Sequence, residues 1–361
     1  METNIINVAL LGATPPSSGG IASWTDRMLK SDCFRYEKLY LVDERQEEGR
    51  EVFGDNSKIK ISGEIKRCFR IWRDLVSCIR KNGIQVVHSN TPATTTSLMR
   101  EILCSIIARF HRCAVIGHFH CTVPVVISSS LQKLMLKIYL SLCSSAIVLN
   151  ERSLEYVKAN SKCPVFLIPN FISKRELLRS QEGRATNAKV TNVLYVGGIV
   201  EEKGVFDILD IAKRHPDINF RLAGAGSIPA TIEPTSNVHL LGTLNSSELA
   251  NEYSKNDVFL FLTHFPAEGF SCALLEAMSF GMPCVVTDWA ANADMIGAKS
   301  GCVVPCHDLD AAERALRRLS DQEVRRQVGH RNAEKVRQLY GEAIVVPKYS
   351  EVYRFAYGKL L

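Results

Sequence analysis

No stretch of the 361 residues offers the roughly 18 uninterrupted apolar positions that a membrane-spanning helix needs. The most apolar region, Thr122 to Leu149, is broken by Lys133 and Lys137. The start, Met1-Glu-Thr-Asn-Ile-Ile-Asn7, lacks the basic opening and cleavage site of a secretory signal, so a cytosolic protein is expected. Twelve cysteines are present, yet none forms a Cys-x-x-Cys pair. Several lie inside apolar runs, which reads as buried, reduced thiols rather than a disulfide framework. Cys302, Cys306 and His307 are close in sequence, but a strand end and a turn around Pro305 account for them without a metal. After the first apolar run, Gly12-Ala-Thr-Pro-Pro16 does not fit Gly-x-Gly-x-x-Gly, which argues against a dinucleotide dehydrogenase. The basic residues are not interleaved with aromatics in any nucleic-acid module, so no nucleic-acid partner is expected.

What is present is an ordinary globular composition, 46% hydrophobic and 23% charged, with enough apolar material for two domains. Charge is uneven. Up to residue 180 there are 25 Lys and Arg against 16 Asp and Glu, whereas the remainder holds 19 against 22. A basic first half suggests an anionic partner, either an anionic membrane surface or a phosphorylated acceptor.

Apolar runs of strand length alternate with helical periodicity throughout. Ile5–Leu11, Lys38–Val42, Val86–His88, Ala114–Phe119 and Ala146–Leu149 read as strands, with helical stretches such as Gly63–Lys81 and Thr95–His111 between them. A polar break at Ser173–Lys189 reads as a linker. A second series follows, with strands at Val193–Val196, Asn219–Ala223, Val238–Leu241, Val258–Leu262, Cys284–Thr287 and Gly301–Val304. The expected fold class is therefore α/β: two doubly wound, Rossmann-like domains, residues 1–175 and 176–345, facing a central cleft. A last helix over 346–361 is expected to pack back on the first domain. Ligands bind at the carboxyl ends of such sheets, which places the site between the domains.

The densest chemical signal is Glu268-Gly-Phe-Ser-Cys-Ala-Leu-Leu-Glu276, closed by Gly281-Met-Pro283. Two carboxylates flank a helix start. Carboxylates accept strong hydrogen bonds from sugar hydroxyls, and a helix N-terminus offers amides and positive potential to phosphate. Lys203, in Glu202-Lys-Gly204 after a strand, is a cation suited to a departing diphosphate. Gly19-Gly20 lets backbone approach an anion closely.

In this order and spacing, with Ile168-Pro-Asn170, Tyr195-Val-Gly-Gly198, Gly224-Ala-Gly226 and Leu241-Gly242, the chain resembles the retaining GT-B glycosyltransferases of family GT4, glycosyl transferases group 1. The resemblance implies that Glu268 meets the donor sugar's hydroxyls and Glu276 the ribose. It implies that the backbone of Gly269, Phe270, Ser271 and Cys272, with Gly19, Gly20 and Lys203, surrounds the diphosphate. It also implies that His120, ending Ile116-Gly-His-Phe-His120, faces the donor sugar. The family usually has an Arg where this chain has Gly198, so one fixed positive charge is missing there. His88 and Asn90 are acceptor-side candidates.

The expected reaction is transfer of a sugar, with retention, from a nucleoside-diphosphate sugar to a hydroxyl of a glycan or lipid-linked acceptor, in cell-surface polysaccharide assembly. No Asp-x-Asp stands where metal-dependent transferases use one, so no metal and no cofactor are expected. The alternatives are a nucleotide-sugar 2-epimerase and a catalytically weak GT-B partner subunit.

Overall fold

The computed structural model describes residues 5–15, 17, 19–45, 61–180, 187–297 and 299–360. In the first half, β1 (Ile6–Gly12), β2 (Glu37–Asp43), β3 (Val86–Thr91), β4 (Ala114–Phe119), β5 (Ser145–Val148) and β6 (Val165–Leu167) form one sheet in the order β2-β1-β3-β4-β5-β6. All of its pairings are parallel. The helices are α1 (Gly20–Leu29), α2 (Ile61–Asn82), α3 (Thr95–Phe110), α4 (Val123–Val126), α5 (Ser130–Leu142) and α6 (Glu151–Asn160). The central strands are buried on both faces; β1 and β4 are largely apolar, whereas β3 buries His88, Ser89, Asn90 and Thr91. Ile71, Leu98, Cys104, Leu136 and Tyr139 form the core on one face, under α2, α3 and α5. Trp24, Met28, Tyr349 and Tyr353 form it on the other.

After α7 (Lys174–Ser180) comes a second parallel sheet: β7 (Asn192–Val196), β8 (Asn219–Ala223), β9 (Val238–Gly242), β10 (Val258–Phe261), β11 (Cys284–Thr287) and β12 (Gly301–Val304). Its order is β12-β11-β10-β7-β8-β9. Around it lie α8 (Val205–Arg214), α9 (Ser246–Lys255), α10 (Cys272–Ser279), α11 (Asn292–Ile296), α12 (Leu309–Arg318) and α13 (Gln322–Lys335). Strand order reverses between β1 and β3 in the first sheet and between β7 and β10 in the second, and the crevices at such reversals are where doubly wound folds hold ligands.

The chain then returns to the first domain. Helix α14 (Glu342–Gly358) lays Val345, Val346, Tyr349, Val352 and Tyr353 into the core beside Trp24 and Met28. The two crossing segments are stitched together: Ile172 N–H donates to Tyr340 O at 2.9 Å and Glu342 N–H to Ile172 O at 2.9 Å. Two local expectations change. The final helix begins at Glu342 and carries Pro347 inside it, rather than starting at 346. The polar break at 173–189 contains α7, which buries no residue and so shows no apolar stripe in the sequence. Among the described residues, no helix is long and apolar enough to cross a membrane.

Candidate active site

The segment with the two carboxylates lies where β10 feeds α10. Ser271 caps the helix, its hydroxyl accepting from Leu274 N–H at 3.2 Å. The amides of the first turn have no intrahelical acceptor and point out of the helix end. Glu268 stands in the loop before it, and its Oε2 is 2.6 Å from Lys203 Nζ. Lys203 ends a single 3₁₀ turn, Glu201–Lys203, that follows β7 across the strand-order reversal. Its ammonium also lies 4.4 Å from the centre of the Phe265 ring. The Gly198 carbonyl accepts from Tyr195 OH at 2.7 Å.

The same loop is held by the first domain. Thr122 N–H and Oγ1–H both donate to Glu268 O, at 2.9 and 2.8 Å. Asn150 Nδ2 donates to Gly269 O at 3.3 Å, and Asn170 Nδ2 to Phe270 O at 2.8 Å. Gly269 is a glycine for want of space: a Cβ there would lie 2.7 Å from His120 O and 3.0 Å from Cys121 N. The Gly19-Gly20 turn closes the other side. Gly19 has φ 110°, a conformation open to glycine, and Cys272 Sγ lies 3.8 Å from Gly20 O. Loop 19–20 of one domain thus faces the N-terminus of α10 in the other.

Glu276, one turn inside α10, is held by a residue that sequence reading did not single out. Arg27 of α1 places Nη2 at 2.5 Å from Glu276 Oε1 and at 2.7 Å from Glu176 Oε1. Its Nε donates to Glu176 Oε2 at 3.0 Å. Tyr253 OH donates to the other Glu276 oxygen at 3.0 Å. Arg27 is 6% exposed, and its Nη1 is buried without a hydrogen-bond partner. Burial pushes the Glu276 carboxyl above its ordinary range, and the Arg27 charge opposes that rise. Burial also pushes the Cys272 thiol up to about 11, so it is uncharged at neutral pH.

His120 sits at the end of β4, its Nε2 2.8 Å from Asn90 Oδ1. Asn90 in turn donates to Leu11 O at 2.7 Å. The His118 ring lies 4.0 Å from that of His120, on the same side of the strand. His88 is corrected: it lies in the interior, not at the cleft. It is fully buried under α14, with Nδ1 2.9 Å from Tyr353 OH and Nε2 3.1 Å from His118 Nδ1. Burial lowers His88 and His120 to about 3, so both rings are neutral at physiological pH.

Beyond Asn90 a cavity of about 300 Å³ opens in the first domain, lined by Glu44, Arg67, Asn90, Thr94, Ser97 and Arg100 among others. Arg100 Nε lies 3.0 Å from Glu44 Oε1, and its Nη2 lies 2.7 Å from Glu101 Oε1. Burial lifts the Glu44 carboxyl to about 7. Among the described residues no group of three or more His, Cys, Asp or Glu could hold a metal ion, and all twelve cysteines are free.

Two parallel six-stranded sheets of doubly wound topology, meeting across a cleft, define the GT-B class. Residues 175–336, most of the second domain, match the family model of glycosyl transferases group 1. The chain is 23% identical over 171 residues to the capsular polysaccharide biosynthesis glycosyltransferase CapM of Staphylococcus aureus, covering 44% of each chain. It is 24% identical over 216 residues to N-acetyl-alpha-D-glucosaminyl L-malate synthase of Bacillus anthracis, covering 55% of each. The chain thus spans about half the length of these curated relatives. Sucrose-phosphate synthase of Thermosynechococcus elongatus superposes with a TM-score of 0.76 at 17% identity, over 98% of this chain and 100% of that one. HepE of Anabaena, in complex with UDP and glucose, gives 0.70 at 15% identity, over 96% and 99%. At such identities the structural likeness is one of fold.

Proposed function

We propose that the protein is a retaining glycosyltransferase that moves a sugar from a nucleoside-diphosphate donor to a hydroxyl of a glycan or lipid-linked acceptor in polysaccharide assembly. The observation that carries this reading is the pair Glu268 and Glu276 around the start of α10, with Lys203 2.6 Å from Glu268 and loop 19–20 facing the helix end. Glu276 bonds the ribose hydroxyls; its two oxygens each keep a lone pair after Arg27 and Tyr253 are served. The outward amides of α10 and Lys203 take the diphosphate, and the buried Nη1 of Arg27 is a further donor beside them. Glu268 and His120 meet the sugar.

The bond from the anomeric carbon to the phosphate oxygen breaks as the acceptor oxygen arrives on the same face. The acceptor's proton passes to the departing phosphate oxygen, whose negative charge Lys203 and the helix end stabilise. No metal is assigned a part. The capsular name of CapM and the UDP and glucose named with HepE agree with this donor and setting.

The test is Glu276→Ala, checked for folding by its melting curve and then assayed for donor turnover. Loss of turnover by two or more orders of magnitude is expected; wild-type turnover overturns the assignment. A melting-temperature screen of nucleoside diphosphates and their sugars names the base, and product analysis with donor alone separates transfer from epimerisation.

A further inference from the structure

The outer face of the first domain carries a surface that the reaction does not use. Helix α3 shows Met99, Leu103, Ile106 and Phe110 to solvent, with Phe110 84% exposed. Steps of four, three and four residues put these side chains in one stripe. The opposite side of α3, with Leu98, Cys104 and Ala108, is buried on the sheet. Helix α5 packs against α3 and adds Leu131, Leu134 and Ile138, all exposed, while its Leu136 and Leu140 face inward. On the other flank α2 adds Ile65 and Phe69. Nine of the eighteen exposed large hydrophobic residues among the described residues thus stand on three neighbouring helices. Scattered exposed apolar residues are normal, but a contiguous set of this kind marks a contact surface.

The charges on this face are mainly positive: α2 exposes Lys66 and Arg73, and its acids Glu64 and Asp74 are each paired with an arginine of the same helix. The exposed ionisable residues of α3 and α5 are Arg109, Lys133 and Lys137. The one acid on either helix, Glu101, is fully buried against Arg100. We infer that the α3–α5 face docks on an anionic bilayer. The apolar stripe enters the boundary between headgroups and acyl chains, and the basic side chains reach the phosphates along its edge. Two copies of the chain meeting through α3 and α5 would set cation against cation, the acids of α2 being already paired within their own helix, which disfavours a dimer. A neutral bilayer would leave the same cations unmatched. The inference rests on this surface alone and not on the identity of the donor.

The experiment is flotation of the full chain with vesicles of phosphatidylcholine, with and without phosphatidylglycerol, at low and high salt. The wild type is expected to float with the anionic vesicles at low salt only. Lys133→Ala with Lys137→Ala is expected to weaken partitioning about fivefold per cation removed. Phe110→Ser with Leu134→Ser is expected to weaken it by about tenfold or more through lost apolar burial. Both pairs of positions are solvent-exposed, so melting temperature and turnover with a soluble acceptor stay at wild-type values. Absence of flotation by the wild type, or equal flotation by the variants, overturns the proposal. So does a wild-type dimer, seen by light scattering, that Phe110→Ser with Leu134→Ser dissolves, since the occupant would then be a second copy. Loss of turnover in Glu276→Ala with flotation intact shows the two readings to be separate.

Discussion

Replacing Arg27 with Met removes one side chain that serves both domains. The guanidinium is 6% exposed and bonds Glu176 and Glu276 at 2.5–3.2 Å. Methionine keeps much of the volume and none of the charge, so two half-buried carboxylates lose their cation at once, Glu176 keeping Ser173 and Glu276 keeping Tyr253 as hydrogen-bond donors. Removing one member of a buried ion pair costs about 3–5 kcal/mol, and partial exposure with the remaining neutral donors puts this case toward the lower end. The share belonging to Glu276 is separable. In a Glu276→Gln background the neutral amide needs no counter-charge, so Arg27→Met should cost less there, by a coupling of about 1–3 kcal/mol. The assay is urea denaturation of the wild type, both single variants and the double variant. Trp24 fluorescence is a convenient probe, because that indole is fully buried one turn before Arg27. A second readout is not structural. Burial already lifts the Glu276 carboxyl, and without Arg27 it rises further. In the proposed function the ionised form is the one that accepts from ribose. The acid-side increase in donor KM should therefore begin at a higher pH in Arg27→Met than in wild type. Costs that add within about 0.5 kcal/mol, together with an unmoved KM profile, would refute the reasoning.

Further outcomes follow from the same geometry. In Gly269→Ala the new methyl would lie 2.7 Å from His120 O, so the loop must move away from the first domain; a loss of about 1–3 kcal/mol in stability is expected, measured by denaturant midpoint. Stability should also fall on acidification. His88 and His120 stay neutral to about 3 and His118 is likewise lowered, while in the unfolded chain an imidazole takes up a proton near its ordinary value of about 6.5. Stability from these rings is thus present above that value and is lost as pH falls below it, by about 3 kcal/mol for His88 and His120 between pH 7.5 and 5.5, with His118 adding in the same direction. Glu44, lifted to about 7, takes up a proton in the folded state over the same range and offsets about 2 kcal/mol of that loss. Glu44→Gln should therefore steepen the decline; a flat profile between those pH values counts against the buried, neutral histidines.

The alternation of strands and helices was legible because apolar period separates the two, and both sheets emerge from it. Strand β6 escaped because it has three residues, none of them buried. Single residues that act across the cleft were harder to see. Arg27 and Glu276 are 249 positions apart, and no local spacing announces their pairing. One signal was present: Trp24, Arg27 and Met28 share the buried stripe of α1. A charge on an apolar stripe requires a buried partner. Thr122 and Asn150 gave no such sign, because a short polar side chain beside a helix start reads first as a cap, and Asn150 is also the N-cap of α6. His88 was misplaced because strand ends and strand middles look alike in sequence, whereas α14, which covers it, comes from the far end of the chain.

The charge balance of the cleft constrains how a donor would be held. Arg27 and Lys203 bring two positive charges, and Glu176, Glu268 and Glu276 bring three negative ones. His120 and Cys272 are neutral at physiological pH. In the proposed reading the diphosphate is held by groups aimed at it: the outward amides of α10, the buried Nη1 of Arg27 and an ammonium that can change partners. A phosphate beside Lys203 competes with Glu268 for that ammonium. Once released, the Glu268 carboxylate is an unpaired acceptor next to the donor's sugar, whose hydroxyls are the donors that match it. The pair at 2.6 Å is in this reading an exchange pair, which ties recognition of the phosphate to recognition of the sugar. A nucleoside diphosphate without its sugar would strip Glu268 of its partner and offer it no hydroxyls in return.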